Sequence, residues 1–193
     1  PLILFSQVAW DDVWQRPQEI ARGLSKFRPV LFVSPVQIHQ TAGPLLSRWR
    51  PLRNESDSKL LIYCPQIMSG EYRNDVVRKV NRAILTRCLS PIHSFPDFLF
   101  LTNSPFAGSW IDHFDHATIG YDVIDDFCAF QWAPSKGRDW ENRLLELCEF
   151  GFSGTWSMQE KFGNRIPECR YLASGVNYEK FQQDSTIPKD IEH

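Results

Sequence analysis

The chain has 193 residues, 42% of them apolar and 23% charged, and carries a net charge of −2. That length supports one full-sized domain with a single core and is short for two. The nearly balanced charge gives nucleic acid no footing as a partner, and no stretch approaches the roughly 20 apolar residues of a membrane-spanning helix.

Short apolar runs alternate with helical patterns from start to end. Leu2-Ile3-Leu4-Phe5 predicts a buried first strand. Ile20, Ala21, Leu24 and Phe27 then recur at helical spacing, with Pro17 placed for a first turn. Val30 to Val33 reads as a second strand ended by Ser34-Pro35. The polar stretch from Gln37 to Ser58 reads mostly as loop, with a short helix near Leu45 to Trp49. Leu60 to Tyr63 is a third strand stopped at Pro65, and Val76, Val77, Val80, Ile84, Leu85 and Cys88 make a second helical stripe. Phe98 to Leu101 is a fourth strand, after which Asn103-Ser104-Pro105 starts a helix through about His113. A fifth strand, Ala117 to Val123, leads into Asp125-Asp126. Trp140, Leu144, Leu147 and Cys148 mark the next helix, and Phe150 to Ser153 a short sixth strand. Ser157 is placed to cap another short helix, and Tyr171-Leu172-Ala173 is a last strand before Gly175. Strand–helix alternation of this kind argues for a doubly wound parallel sheet with helices on both faces, Rossmann-like in layout. Residues 1–181 form that domain, and the polar residues 182–193 read as a linker or tail.

The five cysteines are odd in number and widely spaced, with no C-x-x-C and no His close enough to suggest zinc. Cys88 and Cys148 fall on apolar helix faces and read as small buried hydrophobes. A reduced, cytoplasmic setting is the expectation. No secretory leader is recognised; the sequence opens at Pro1 directly on a strand, which reads as a trimmed start. No metal-ligand set is expected, and no cofactor is assigned to this chain itself. G-x-G-x-x-G, the P-loop, G-x-S-x-G and H-E-x-x-H are all absent. His39, His93, His113 and His116 are scattered through loops or helix ends and read as surface residues.

Two clusters carry the chemistry. The first, Trp10-Asp11-Asp12-Val13-Trp14-Gln15-Arg16-Pro17-Gln18, sits where the first strand gives way to a helix. In an open α/β sheet, ligands bind beyond the carboxyl ends of the strands. Aromatic faces with charged and amide groups around them suit a polyhydroxylated ligand. The alternative is that the Trp pair packs on the domain and the Asp residues favour the helix N-terminus. The second cluster, Asp122, Asp125 and Asp126, crowds the end of the fifth strand. Like charges held close raise at least one pKa, a route to a general acid or base. The same carboxylates suit Mg²⁺ or sugar hydroxyls, or simply cap the next turn.

The ordered set of motifs resembles a known family. Trp14, Arg16, Pro17 and Gln18 with Ile20, Ala21 and Leu24, then Val30 to Pro35, resemble bacterial glycosyltransferases of the GT-B fold, the group-1 (GT4-like) class. Leu101-Thr102-Asn103-Ser104-Pro105, the Tyr121 to Asp126 run, and Gly175-Val176-Asn177 with Phe181 extend the likeness over nearly the whole chain. Ser174 and Asn177 stand where that family carries Asn and Asp. The resemblance implies the N-terminal, acceptor-side half of such an enzyme. A second Rossmann-like domain beyond His193 would hold a nucleotide-sugar donor, and this half alone would be inactive. It implies transfer of a sugar to a glycan or lipid-linked acceptor in cell-envelope or exopolysaccharide synthesis. Trp10, Asp11, Trp14, Arg16 and Gln18 would then line the acceptor cleft with Asn103, Ser104 and Gly175. Asp122, Asp125 and Asp126 would activate or orient the acceptor hydroxyl.

A noncatalytic sugar- or partner-binding module derived from the same half is the alternative from another class. A metal-dependent transferase of the other common nucleotide-sugar fold wants a D-x-D, which Asp122-Val-Ile-Asp125-Asp126 is not. The basic residues from Arg48 to Arg53 and from Arg73 to Arg87 suit either a weak contact with the inner membrane surface or a solvated face.

Overall fold

The apolar runs recognised in the sequence become neighbouring strands of one sheet. The computed structural model describes residues 1–37, 48–51, 59–71, 73–95, 97–114 and 116–175. In chain order the elements are β1 (Leu2–Phe5), α1 (Arg16–Ser25), β2 (Val30–Val33), β3 (Val36–Gln37), β4 (Arg48–Pro51), β5 (Leu60–Cys64) and β6 (Gln66–Ile67). Then follow α2 (Asp75–Leu89), β7 (Phe98–Thr102), β8 (Ala117–Val123), α3 (Gly137–Leu147), β9 (Phe150–Ser153), α4 (Trp156–Phe162) and β10 (Cys169–Tyr171). The main sheet runs β10-β9-β8-β7-β1-β2-β5-β4. Seven of these strands are parallel, and β4 closes one edge antiparallel to β5. β3 and β6 form a separate two-stranded parallel pair.

Side-chain alternation divides the strands between two cores. Leu2, Leu4, Phe32, Leu60 and Ile62 point to the face covered by α1, together with Ala21 and Trp10. Ile3, Phe5, Val33, Phe100, Ile119, Tyr121 and Val123 point to the other face, packed with Leu85 of α2, Leu144 of α3 and Phe162 of α4. Strands buried on both sides read as unbroken apolar runs, which is why they are so visible in the sequence. The doubly wound parallel fold, with helices on both faces, is what the sequence predicts.

The chain moves from β1 outward to β2 and β5, then returns over the sheet through α2 to place β7 on the opposite side of β1. Strand order therefore reverses between β1 and β7, and a crevice opens beyond their carboxyl ends.

Local chemistry explains the helix starts. Pro17 lies in the first turn of α1, and Gln15 and Gln18 complete a capping box there. The Asn74 side chain caps α2 by accepting from the Val76 and Val77 amides.

Four details differ from the sequence reading. The helix expected from Asn103 to His113 is two 3-10 segments, Pro105–Ser109 and Ile111–His113. Gly108 approaches α3 so closely that a Cβ there would lie 1.9 Å from the Trp140 carbonyl oxygen. Thr155, not Ser157, caps α4, accepting from the Met158 amide at 3.3 Å. The last strand is Cys169–Tyr171, two residues earlier than expected at its start. Arg48 and Trp49, the end of the short helix proposed from Leu45 to Trp49, belong instead to strand β4 (Arg48–Pro51). His39, Asn177, Phe181 and the proposed tail 182–193 lie outside the described residues. Among the described residues no helix is long and apolar enough to cross a membrane.

Candidate functional site

The crevice between the ends of β1 and β7 holds a cavity of about 230 Å³. Gln7 at the end of β1 and Ser104 at the end of β7 form its floor, and Trp110 and Trp140 part of its wall. Glu71, Arg78 and Arg82 face it from the α2 side. Asn103 ties the two strand ends together. Its Nδ2 donates to Ser6 Oγ at 3.2 Å, and its Oδ1 accepts from the Gln7 amide at 3.3 Å. Asn103 is buried, so this bridge sets the floor without presenting its own side chain.

Charge in the cavity is uneven. Arg78 stacks its guanidinium on Trp140 at 5.0 Å and pairs with Asp75 at 2.6 Å. Arg82 Nε donates to His113 Nε2 at 2.8 Å. Glu71 accepts from Asn81 Nδ2 at 2.9 Å. Burial pushes the Glu71 carboxyl above its ordinary range, against the pull of Asn81 and Arg78.

The β1–α1 loop forms a second region along the same sheet edge. Trp10 is buried, edge-on to Phe32 at 4.9 Å and to Trp14 at 5.2 Å. Gln18 is also buried, its amide donating to the Ala9 carbonyl at 3.0 Å and its Oε1 accepting from the Gln15 amide at 3.2 Å. These two side chains are committed to the loop's own packing. Trp14 is half-buried, its indole donating to Glu19 Oε1 at 2.5 Å under the Arg22 guanidinium. Asp11 is exposed.

Arg16 reaches from the start of α1 to Asp122 at the end of β8, a contact across 106 positions of sequence. Its Nε donates to Oδ2 at 2.9 Å, its Nη2 to Oδ1 at 2.7 Å, and its Nη1 to the Leu172 carbonyl at 2.6 Å. Asp122 lies on the same side of the sheet as α1, because Tyr121 and Val123 on either side of it point into the other core. Burial raises the Asp122 carboxyl above its ordinary range, and Arg16 pulls it back down. The cause is desolvation, not the neighbouring carboxylates.

The three aspartates diverge in space. Asp126 is paired with Lys161 and with Arg138 at 3.4 Å. Asp125 is exposed and accepts from the Asp126 amide at 2.8 Å. Among the described residues no group of three or more His, Cys, Asp or Glu side chains is arranged to hold a metal. Behind this loop lies buried Glu141, which accepts from Tyr121 Oη at 3.2 Å and from Arg138 at 2.8 Å. Burial pushes the Cys128 and Cys148 thiols up to about 12, leaving both protonated and unreactive at neutral pH. Gly175 is exposed, with open space where a Cβ would be.

Of the residues marked in the sequence, only Ser104 lines the cavity itself. Arg78, Arg82, Glu71, Trp110 and Trp140 were missed. Arg78 and Arg82 stand one helical turn apart beside the buried Asn81–Leu85 stripe of α2, a spacing that a closer reading of its polar flank would have shown.

The fold and its reversal point define a class, the doubly wound Rossmann-like domains, and the shape matches one half of a GT-B fold. Two solved structures give that class particular relatives in shape. The chain is similar to the trehalose-6-phosphate protein of E. coli bound with UDP-2-fluoro glucose, with a TM-score of 0.65 and 12% identity over 98% of this chain and 52% of that one. It is also similar to α,α-trehalose 6-phosphate synthase from Burkholderia multivorans, with a TM-score of 0.55 and 11% identity over 93% of this chain and 50% of that one. The chain thus spans about half the length of both. At these identities the likeness is one of fold, and it does not extend to the group-1 class. No protein-family model matches the sequence, and no match to a curated protein is found.

Proposed function

We propose that the chain is the acceptor-side half of a glycosyltransferase, with the acceptor seated in the cavity between the ends of β1 and β7. The observation that carries this reading is the position of that cavity. It lies at the reversal of strand order, where open α/β sheets bind their ligands, and combines two indoles with serine, amide and charged groups. Hydroxyl-rich rings need such a mixture of apolar wall and directed donors and acceptors. The donor, a nucleotide sugar, would be held by a further domain, the counterpart of the half of each solved relative that this chain does not span.

In this reading Asp122 acts through Arg16, which draws the β1–α1 loop toward the segment at Leu172. Asp125, the exposed carboxylate of the three, lies past the end of β8 and is not among the residues lining the cavity, so its part in orienting an acceptor hydroxyl is a proposal from sequence alone. The group-1 class, a cytoplasmic setting and a role in cell-envelope or exopolysaccharide synthesis belong to the same proposal. So does a weak contact with an anionic membrane surface through the outward residues of α2, where Lys79 and Arg87 accompany exposed Val76 and Val80.

The test is kinetic. The protein, with whatever sequence follows residue 193, is assayed for nucleoside diphosphate release from a panel of nucleotide sugars in the presence of cell-envelope glycans. Replacing Ser104 or Trp140 by Ala is expected to raise the acceptor KM by about tenfold, the loss of one good contact, and to leave the donor KM unchanged. A change confined to the donor KM refutes the acceptor assignment. Glycan binding at this cavity without any transfer would instead favour the noncatalytic module.

A further inference from the structure

We infer that the β1–β7 cavity takes a single ring bearing a compact anionic group, phosphate or carboxylate, with the anion on Arg82 and the ring against Trp110 and Trp140. The inference rests on the acceptor reading above and names the chemical class of that ligand.

Size sets the first limit. Sites for drug-sized ligands run to about 300–1,000 Å³, and this cavity, at about 230 Å³, suits one ring with a substituent. Charge sets the second. Arg82 lines the cavity and is half-buried. Its hydrogen bond goes to His113 Nε2, which accepts it and offers no negative charge. Among the described residues no carboxylate forms an ion pair with Arg82. Arg78 differs, because Asp75 neutralises it and Trp140 supports its face. Glu71, the one acid lining the cavity, already bonds Asn81, and burial favours its neutral form.

The cavity thus contains two guanidinium groups, of which Arg78 is ion-paired, and one carboxyl already hydrogen-bonded to Asn81. A guanidinium withdrawn from water without a counterion is costly, and its planar fork matches phosphate and carboxylate oxygens. A neutral ring would leave the Nη donors of Arg82 unpaired on entry. An anionic substituent pairs them.

The experiment follows the indole N–H resonances of Trp110 and Trp140, assigned with W110F and W140F, while glucose, glucuronate and inorganic phosphate are titrated separately. Glucuronate presents the glucose ring with a carboxylate, and phosphate presents the anion without a ring. Glucuronate is expected to bind at least about tenfold tighter than glucose, with the advantage shrinking at high salt. R82Q is expected to abolish that advantage and leave glucose binding in place, and R82K to retain part of it. Phosphate competing with glucuronate confirms the shared anion position. Phosphate that binds without displacing glucuronate overturns it.

Equal affinity for glucose and glucuronate in the parent protein, or a preference that survives in R82Q, overturns the anion inference while the acceptor reading stands. If none of the three probes moves either indole, both readings fall. Should R82Q not fold, the glucose-to-glucuronate ratio of the parent protein and its salt dependence decide the matter alone.

Discussion

Replacing Asp122 by Asn tests the contact that joins the β1–α1 loop to the far half of the sheet. In the parent protein the side chains of Arg16 and Asp122 are 9% and 4% exposed, so solvent screens the pair little. Removing one partner of a buried ion pair typically costs about 3–5 kcal/mol, because the other charge is left uncompensated. Asn keeps the shape of Asp and one acceptor oxygen, so D122N is expected at the lower end, about 3 kcal/mol. That is a large share of the roughly 5–15 kcal/mol that holds a domain of this kind together.

R16M leaves the opposite orphan, and the two variants should respond differently to pH. A carboxyl can escape burial by taking a proton, whereas a guanidinium keeps its charge. Burial already raises the folded-state pKa of Asp122, and R16M removes the one group pulling it down. With the folded value above the unfolded one, proton uptake favours the fold as pH falls through the folded value, and the gain is complete below the ordinary carboxylate range. R16M should therefore recover stability relative to the parent on acidification, whereas D122N should show no such recovery of its own. Urea unfolding followed by tryptophan fluorescence measures all of this, with the double variant D122N/R16M closing the cycle. A D122N cost below about 1 kcal/mol, or single losses that simply add in the double variant, would refute the argument; a coupling of about 2 kcal/mol or more is expected.

Four other outcomes follow from the same contacts. E141A should cost about 2–4 kcal/mol in urea unfolding, since it strips the buried Tyr121 hydroxyl and Arg138 of their acceptor; E141Q, which keeps an acceptor for Tyr121, should cost less. G108A drives a Cβ into the Trp140 carbonyl, a backbone atom that cannot swing aside, and should lose more than about 3 kcal/mol or fail to fold. E71Q should stabilise the protein at neutral pH. Its parent carboxyl has a raised pKa and ionises there at a cost, so the gain should shrink as pH falls through that pKa and vanish below the ordinary glutamate range; a gain independent of pH would show that burial of charge is not its cause. In vesicle co-sedimentation, K79E/R87E should reduce binding to anionic vesicles and leave the low binding to neutral ones unchanged, while equal binding of parent and variant would remove α2 as a membrane contact.

What was legible in the sequence was local, and what was missed depended on distance. Leu2–Phe5 and Val30–Val33 are unbroken apolar runs because helices cover both faces of the sheet, and the pattern of α1 follows from Pro17 and the Gln15–Gln18 cap. β4 carries no such signal, because four residues of sequence Arg-Trp-Arg-Pro contain no apolar run and are too short for periodicity to separate strand from helix. The segment after β7 looked helical by composition. Its 3-10 geometry accompanies the close approach of Gly108 to a helix more than thirty positions away in the chain.

The site divides along the same line. The aspartates adjacent in sequence looked like one cluster, yet Asp122 is still on a strand and points to the α1 face, while Asp125 and Asp126 lie past its end. Proximity along the chain therefore joined groups that the pleat separates, and the sequence held no local sign of the groups that meet. Arg16 and Asp122 come together because α1 covers the face that Asp122 occupies. Arg82 and Ser104 come to one cavity because α2 carries the chain back across the sheet to the reversal of strand order. A basic helix that resembles a solvated face in one dimension thus contributes its inner flank to the crevice, and the charge of that flank tells which ligands the crevice can accept.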